Sequence, residues 1–145
     1  MYQRFLSPDF KPYDLLELAM VTEKIVTREG PEGQERKYTG FYSVLAYGGV
    51  ATGFAAGCCL RCFYCWSNWS GDFPEKQGEF YSPGEAASRL FRAAEEGLVR
   101  YKRLRKSIPQ VNKLRISGSE PTIGKEHLLA VLELVQASEY PLFIS

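Results

Sequence analysis

The chain has 145 residues, of which 45% are apolar and 24% charged, and its formal net charge is +1. That length is enough for one domain with a hydrophobic core, and the near-neutral charge makes nucleic acid an unexpected partner. No apolar run approaches the roughly 18 residues of a membrane span, and the first residues lack the apolar core of a secretion signal. We therefore expect no membrane association and a cytoplasmic protein with reduced thiols.

The first predicted element is a helix over residues 14–28. Asp14 and Glu17 resemble a capping box, and apolar side chains recur on one face. The following EGPEG segment predicts a turn, because it contains Gly and Pro. The segment KIVTRE could instead pair with QERKYTG as a hairpin, so the end of this helix stays open. Residues 1–47 are interpreted as an N-terminal extension with a helix and a possible hairpin.

Residues 48–56, GGVATGFAA, predict a short buried strand that ends at the cysteines. A loop rich in aromatic residues, Gly and Pro follows. Ser82, Pro83 and Glu85 then form a strong helix start, with Ser at the N-cap and Glu three residues later. The apolar stripe behind this start, at helical spacing, predicts an amphipathic helix; it consists of Ala87, Leu90, Phe91, Ala94 and Leu98.

The alternating segment VNKLRIS, residues 111–117, predicts a second strand. The segment GSEPTIGKE predicts a turn, and the apolar spacing from Leu128 to Val135 predicts a second helix. Residues 141–145, PLFIS, resemble the start of a third strand. Alternation of strand and helix indicates an α/β fold built from right-handed, parallel βαβ units.

Two unusual motifs each follow directly after a predicted strand. The cysteines follow the first of these strands, and GSEP, residues 118–121, follows the second. In parallel α/β folds functional sites lie at the carboxyl ends of the strands. We therefore expect the two motifs to meet at one edge of the sheet.

All four cysteines lie within eight residues, in the segment GCCLRCFYC. A structural zinc site usually needs four Cys or His ligands, and two Cys-x2-Cys pairs that share Cys62 cannot supply four separated ones. A bacterial ferredoxin run needs a fourth Cys beyond Cys65, and none follows. Three thiolates, from Cys58, Cys62 and Cys65, leave the possibility of an iron–sulfur cluster with one iron open to a small molecule.

The segment CCLRCFYC resembles the C-x3-C-x-aromatic-C signature of radical S-adenosylmethionine (radical SAM) enzymes, with Tyr64 at the aromatic position. Gly118, Ser119, Glu120 and Pro121 resemble the GGEP turn of the same family. Ser119 replaces the usual Gly, and a positive φ there would cost free energy. The resemblance covers residues 48–145. Within the family, the chain resembles archaeal and bacterial proteins related to glycyl-radical-enzyme activases.

The resemblance implies that Cys58, Cys62 and Cys65 bind three irons of a 4Fe-4S cluster, whose fourth iron takes S-adenosyl-L-methionine. It implies that the turn accepts hydrogen bonds from the methionyl amine, and that Tyr64 lies near the adenine. Reductive cleavage would give a 5′-deoxyadenosyl radical that abstracts hydrogen from an unknown substrate, possibly a protein. The implied electron donor is a reduced protein of the ferredoxin or flavodoxin type.

Some neighbouring residues have simpler interpretations. Cys59 is expected to be a small buried residue rather than a ligand. His127 is expected to be a surface residue in the first turn of a helix. Tyr38, Tyr42 and Tyr47 are expected to pack under the sheet, and Trp66 and Trp69 could shield a cluster or simply pack the loop.

The family resemblance implies a partial, TIM-like (β/α)6 barrel, and residues 48–145 hold only two βα units and the start of a third. We therefore expect an incomplete core: a fragment, a truncated reading frame or a chain that a partner completes. Three alternatives stay open: an activase of a glycyl-radical enzyme, a non-catalytic iron–sulfur or electron-transfer protein, and a zinc-binding interaction module. A simple carrier has no need for the amine-binding turn.

Overall fold

A computed structural model describes residues 14–103 and 111–140 of the chain. Within these ranges the order of elements is α1 (Leu15–Val26), β1 (Thr27–Gly30), β2 (Gly33–Val44), β3 (Val50–Ala55), α2 (Asn68–Asp72), β4 (Glu79–Tyr81), α3 (Pro83–Arg103), β5 (Lys113–Gly118) and α4 (Lys125–Gln136). Short 3-10 turns lie at Ala46–Gly48, Pro74–Lys76 and Pro121–Gly124. The predicted third strand, at 141–145, lies outside the described residues.

Helix α1 begins where the capping pattern predicts. The carboxylate of Asp14 accepts hydrogen bonds from the backbone N–H groups of Leu16 and Glu17, at 2.8 and 2.9 Å. The helix ends at Val26, and β1 begins with the next residue and pairs with β2 as an antiparallel hairpin. The helix prediction and the hairpin alternative are therefore each correct in part: the helix includes KIV, and the hairpin begins at Thr27.

The five strands form a single mixed sheet that is curled and open. Along the sheet the order is β1-β2-β3-β5, and β4 pairs with β2. Strands β3 and β5 are parallel, with α3 between them in sequence, as the βαβ pattern predicts. The pairings of β2 with β1, β3 and β4 are antiparallel. For β1 and β3 the reason is that a short turn connects each of them to β2 and reverses the chain, whereas β4 follows the longer segment after β3.

The main core lies between the sheet and helices α3 and α4. Alternate residues of β3 and β5 face these helices, and the predicted stripe of α3 packs against them. Fully buried members include Ala51, Leu90, Leu114, Val131 and Val135. Each fully buried Leu or Val side chain contributes roughly 1.5–3 kcal/mol by leaving water, so this layer fixes the position of β5 beside β3.

The opposite face of β3 carries an aromatic cluster. The ring of Trp69 stacks on Phe54 with 5.6 Å between centroids, and the ring of Trp66 meets Phe54 edge-on at 5.6 Å. Trp66 is nevertheless 74% exposed. Both tryptophans thus pack the loop that follows the cysteines onto the sheet.

Two expectations about aromatic and histidine side chains need correction. Tyr38 is buried as expected, but Tyr42 and Tyr47 are exposed. His127 is buried rather than at the surface, with 1% of its area exposed. Its helix packs against β2, where the Tyr38 hydroxyl and the Gln34 carbonyl hydrogen-bond the imidazole.

None of the helices in the described ranges combines the length and the apolar character needed to cross a lipid bilayer.

Candidate functional site

A cavity of about 150 Å³ lies at the carboxyl ends of β3 and β5. The three cysteines of the C-x3-C-x2-C pattern line it together with the first three residues of the GSEP turn. The remaining lining residues come from the cysteine loop and from α2. The full lining is Cys58, Leu60, Arg61, Cys62, Cys65, Ser67, Asn68, Gly71, Asp72, Gly118, Ser119 and Glu120.

The parallel pairing of β3 and β5 brings the two motifs together. Ala55, the last residue of β3, is paired with Gly118, the last residue of β5. Beyond the strands the two segments remain hydrogen-bonded, since the Ser119 N–H donates to the Ala55 carbonyl at 3.1 Å and the Glu120 N–H donates to the Gly57 carbonyl at 3.2 Å. The cysteine loop and the turn are therefore held side by side by backbone atoms.

Gly118 occupies a position that a larger residue would disturb. Its φ is +100°, and a Cβ atom there would lie 2.6 Å from Cδ1 of Phe54 and 2.9 Å from the Ala55 carbonyl oxygen. Among the described non-glycine residues only Tyr47 has a positive φ. The backbone penalty considered for Ser119 is therefore avoided, because the left-handed conformation falls on Gly118.

The four cysteines divide into two groups. Cys58, Cys62 and Cys65 are half-buried, whereas Cys59 is buried in a small apolar cluster with Val26 and Ile123. The side chain of Cys59 thus packs in the protein interior, as expected for a small apolar residue. Its neighbours in the motif face the cavity instead.

Burial raises the pKa of the Cys58 thiol to about 11. The protonated thiol donates to the Leu60 carbonyl at 3.5 Å. The pKa of Cys59 is also raised, mainly by burial. Both thiols are therefore protonated at neutral pH. Binding of iron by Cys58 would have to displace that proton.

The arrangement of the possible donor side chains bears on which metal centre could form. Within residues 14–103 and 111–140, no three Cys, His, Asp or Glu side chains are grouped to hold a single metal ion. This arrangement does not favour a zinc site, whose ligands must surround one point. Thiolates of an iron–sulfur cluster each bind a different iron, so three thiols spaced around one cavity fit a cluster in number and in chemistry.

Two serines near α2 join the cysteine loop to the turn, and the sequence analysis did not single them out. The Ser67 hydroxyl donates to the Gly118 carbonyl at 3.0 Å, and the Ser70 hydroxyl lies 3.0 Å from the Ser119 hydroxyl. Ser67 and Ser70 are both buried. The sequence does carry a signal for them, because the two serines of SNWSGD are three residues apart and would share one face of a helix. The segment was assigned to a loop, where that spacing has no meaning.

An ion pair between Arg61 and Asp72 closes the cysteine loop against the end of α2. Both side chains are largely buried and both line the cavity. Gly71 lies beside them, where an added Cβ would be 3.2 Å from Cβ of Cys58. The backbone of α2 therefore approaches the first cysteine closely.

Tyr64 and Pro121 are not part of the cavity wall. The ring of Tyr64 is 74% exposed and meets Phe63 edge-on. Pro121 begins the 3-10 turn that Glu120 caps, since the Glu120 Oε1 atom accepts from the N–H and the hydroxyl of Thr122, at 3.1 and 2.6 Å. Glu120 thus lines the cavity, while one oxygen of its carboxylate is engaged with Thr122.

The sequence matches no family model and no curated protein, and its fold matches no solved structure. Functional conclusions therefore depend on the residues of the site.

Proposed function

We propose that the chain is a radical SAM enzyme module that binds a 4Fe-4S cluster and S-adenosylmethionine. One observation carries the proposal: Cys58, Cys62 and Cys65 line the same cavity as Gly118, Ser119 and Glu120. The two motifs are separated by more than fifty residues in the sequence, and parallel strands bring them together. S-adenosylmethionine requires this adjacency. The same small molecule would contact the turn through its amine and the open iron of the cluster that the cysteines hold.

Each group of residues has a separate task in this proposal. The three cysteines would hold three irons, and the turn would accept hydrogen bonds from the methionyl amine, with Glu120 among the residues that line the cavity. A cluster bound there and reduced by the electron donor would supply one-electron chemistry, the reductive cleavage of the sulfonium that gives a 5′-deoxyadenosyl radical for hydrogen abstraction. Tyr64, exposed beside Cys65, would cover the adenine only once the cofactor is bound.

The proposal extends to the fold and the partners. The β3-α3-β5 unit would be the first of the parallel units in a partial (β/α)6 barrel, with residues 1–47 as an added N-terminal segment. The electron donor would be a reduced ferredoxin or flavodoxin in the cytoplasm. Of the alternatives, a simple electron carrier does not account for the turn beside the cysteines, and no observation on the described residues favours an activase.

The test is anaerobic reconstitution of the full chain with ferrous iron and sulfide. We expect about four irons per chain for a 4Fe-4S cluster, and an electron paramagnetic resonance (EPR) signal of the reduced cluster that changes when S-adenosylmethionine is added. The change follows from direct binding of the cofactor to the open iron. Formation of 5′-deoxyadenosine with dithionite as reductant provides the activity measurement.

Matched alanine variants test the ligand assignment. Cys58→Ala, Cys62→Ala and Cys65→Ala should each lose the cluster, whereas Cys59→Ala should retain it. A cluster whose spectrum ignores S-adenosylmethionine would indicate an iron–sulfur carrier instead. Failure to bind iron, or loss of the cluster in Cys59→Ala with retention in Cys58→Ala, would refute the proposal.

A further inference from the structure

Arg36, near the start of β2, is a buried cation behind the candidate site. Only 1% of its area is exposed. Its Nη2 group donates to the backbone carbonyl of Glu120 at 3.2 Å, and its Nη1 group donates to the carbonyl of Val26 at 3.5 Å. One side chain therefore connects the turn that lines the cavity to the end of α1.

The hydrogen bonds of this guanidinium are incomplete. Its Nε atom is buried, and no described residue accepts a hydrogen bond from it. Burial lowers the pKa of Arg36 to about 10, so the group remains cationic at neutral pH. Replacing a buried charge of this kind by an apolar side chain of similar volume is often neutral or stabilising. Stability of the fold therefore does not explain why a cation lies here.

The backbone is shaped to accommodate this side chain. A Cβ atom on Gly124, at the end of the 3-10 turn, would lie 2.5 Å from Cδ and 3.0 Å from Nε of Arg36. Only glycine lets the turn approach so closely. The guanidinium is consequently enclosed between β2, the end of α1 and the segment that follows Glu120.

We propose that Arg36 is a positioning residue for the cofactor site: it holds the backbone at Glu120 in place and supplies a fixed positive charge behind the thiolates. This inference depends on the proposed function, because it assigns the charge to an anionic cluster. The carboxylate of Glu120 lies near enough for its negative charge to favour the cationic form of Arg36.

Two measurable consequences follow from a fixed cation beside the cluster. Reduction adds negative charge to the cluster, and a nearby positive charge makes that addition more favourable. Arg36 should therefore raise the reduction potential. Arg36 should also strengthen binding of S-adenosylmethionine, because its hydrogen bond to the Glu120 carbonyl holds the turn that binds the amine in place.

The experiment compares the full chain with three variants: Arg36→Met, Arg36→Lys and Arg28→Met. Arg36→Met removes the charge at similar volume, and Arg36→Lys retains it. Arg28 provides the control, because it is a largely exposed arginine on the neighbouring strand, paired with Glu35. The measurements are the unfolding midpoint of the chain before iron is added, the reduction potential after reconstitution and the affinity for S-adenosylmethionine from EPR titration.

We expect Arg36→Met to unfold at or near the wild-type midpoint but to show a more negative reduction potential. Its affinity for S-adenosylmethionine should be weaker by roughly 10- to 100-fold, the usual effect of losing a group that orients ligands. Before iron is added, hydrogen exchange at the Glu120 amide should be faster by about tenfold, because the turn has lost one hydrogen bond. Arg36→Lys should have a reduction potential close to that of the wild type. Arg28→Met should match the wild type in every measurement.

A wild-type potential and affinity in Arg36→Met would overturn the inference while leaving the proposed function intact. The inference would also be overturned if Arg36→Met lost much of its stability and Arg36→Lys had the same reduction potential and affinity as Arg36→Met. Arg36 would then be a structural residue. Absence of a cluster in the wild type would refute the proposed function itself. The exchange of the Glu120 amide would then still decide whether Arg36 holds the turn.

Discussion

Gly118 shows how one residue determines the geometry of the cavity. Its positive φ turns the chain from β5 into the segment that lines the site, and its missing Cβ leaves room for the ring of Phe54. The sequence pattern GSEP marked the turn. It could not indicate that Phe54, more than sixty residues earlier, is the side chain that excludes a larger residue.

We predict that Gly118→Ala destabilises the chain by about 3 kcal/mol, the combined effect of a strained φ and a steric overlap. The matched control is Gly33→Ala, where φ is +102° but no atom lies within 4 Å of the added Cβ. That variant should lose only about 1–2 kcal/mol, from the backbone alone. Urea unfolding measures both, and equal losses would show that the contact with Phe54 is accommodated without strain.

The hydrogen bonds of His127 define its tautomer. A backbone carbonyl can only accept, so the Nδ1–H group donates to Gln34 at 2.8 Å. The Nε2 atom of the neutral ring therefore accepts from the Tyr38 hydroxyl at 3.1 Å. Protonation at Nε2 would require the Tyr38 hydroxyl to turn and accept instead, and it would place a charge in a buried site.

Burial lowers the pKa of His127 to about 4, well below its ordinary value of 6.5. Between these two values the unfolded chain binds more protons, so the stability from the neutral ring is complete above pH 6.5 and is lost as the pH falls toward 4. The loss should be at most about 3 kcal/mol.

Unfolding by urea at several pH values in this range measures the effect. Glutamine at position 127 does not titrate, so the free energy of unfolding of His127→Gln should depend less on pH than that of the wild type. Identical pH dependence in the two proteins would mean that the imidazole is protonated as easily in the folded chain as in the unfolded one.

At the scale of elements, the start of α3 is the feature that the sequence predicted most completely. The Ser82 hydroxyl accepts from the Glu85 N–H at 3.2 Å, and the Glu85 carboxylate accepts from the Ser82 N–H at 2.9 Å. These two bonds form the predicted capping box. The structure adds a bond that no local pattern could supply, from the Ser82 hydroxyl to the carboxylate of Glu32 in the first hairpin, at 2.8 Å.

We predict that Ser82→Ala lowers the free energy of unfolding by about 1–2 kcal/mol, the upper part of the range for an N-cap, because the bond to Glu32 is lost as well. Glu85→Gln is the control, since glutamine serves in a capping box equally well and should have little effect. Thermal unfolding followed by circular dichroism provides the measurement. A loss in Glu85→Gln as large as that in Ser82→Ala would indicate that charge, rather than the cap, stabilises this helix end.

At the scale of the whole molecule, the proposed cluster should act as a fold-stabilising ligand. It would bind the folded chain through three residues of one loop, and that loop is tied to the turn by Ser67 and Ser70. A ligand that binds only the folded state stabilises it by about 2.7 kcal/mol at a hundredfold excess over its dissociation constant. Loading should therefore stabilise the sheet as well as the loop.

The measurement is the thermal unfolding midpoint of the chain under anaerobic conditions, with and without reconstitution. The midpoint should rise on loading in the wild type and in Cys59→Ser, and should not change in Cys58→Ser. Cys59→Ser should start from a lower midpoint, since it places a hydroxyl in the apolar cluster with Val26 and Ile123. An unchanged midpoint in the loaded wild type would contradict the prediction.

The sequence by itself determined the features that depend on neighbours along the chain. These are the capped starts of α1 and α3, the parallel unit β3-α3-β5 and the expectation that the cysteines and GSEP meet after parallel strands. Each depends on local hydrogen bonding or on a fixed periodicity, and both can be read from a few adjacent residues.

Only the tertiary structure decided the rest, because the contacts involved join segments that are far apart in sequence. The antiparallel strands β1, β2 and β4 join the same sheet as the parallel unit, so residues from the first part of the chain lie behind the site. That arrangement buries Arg36 beside Glu120 and places His127 against Tyr38. No periodicity encodes such pairs, since burial and charge of one residue depend on which distant segment packs against it.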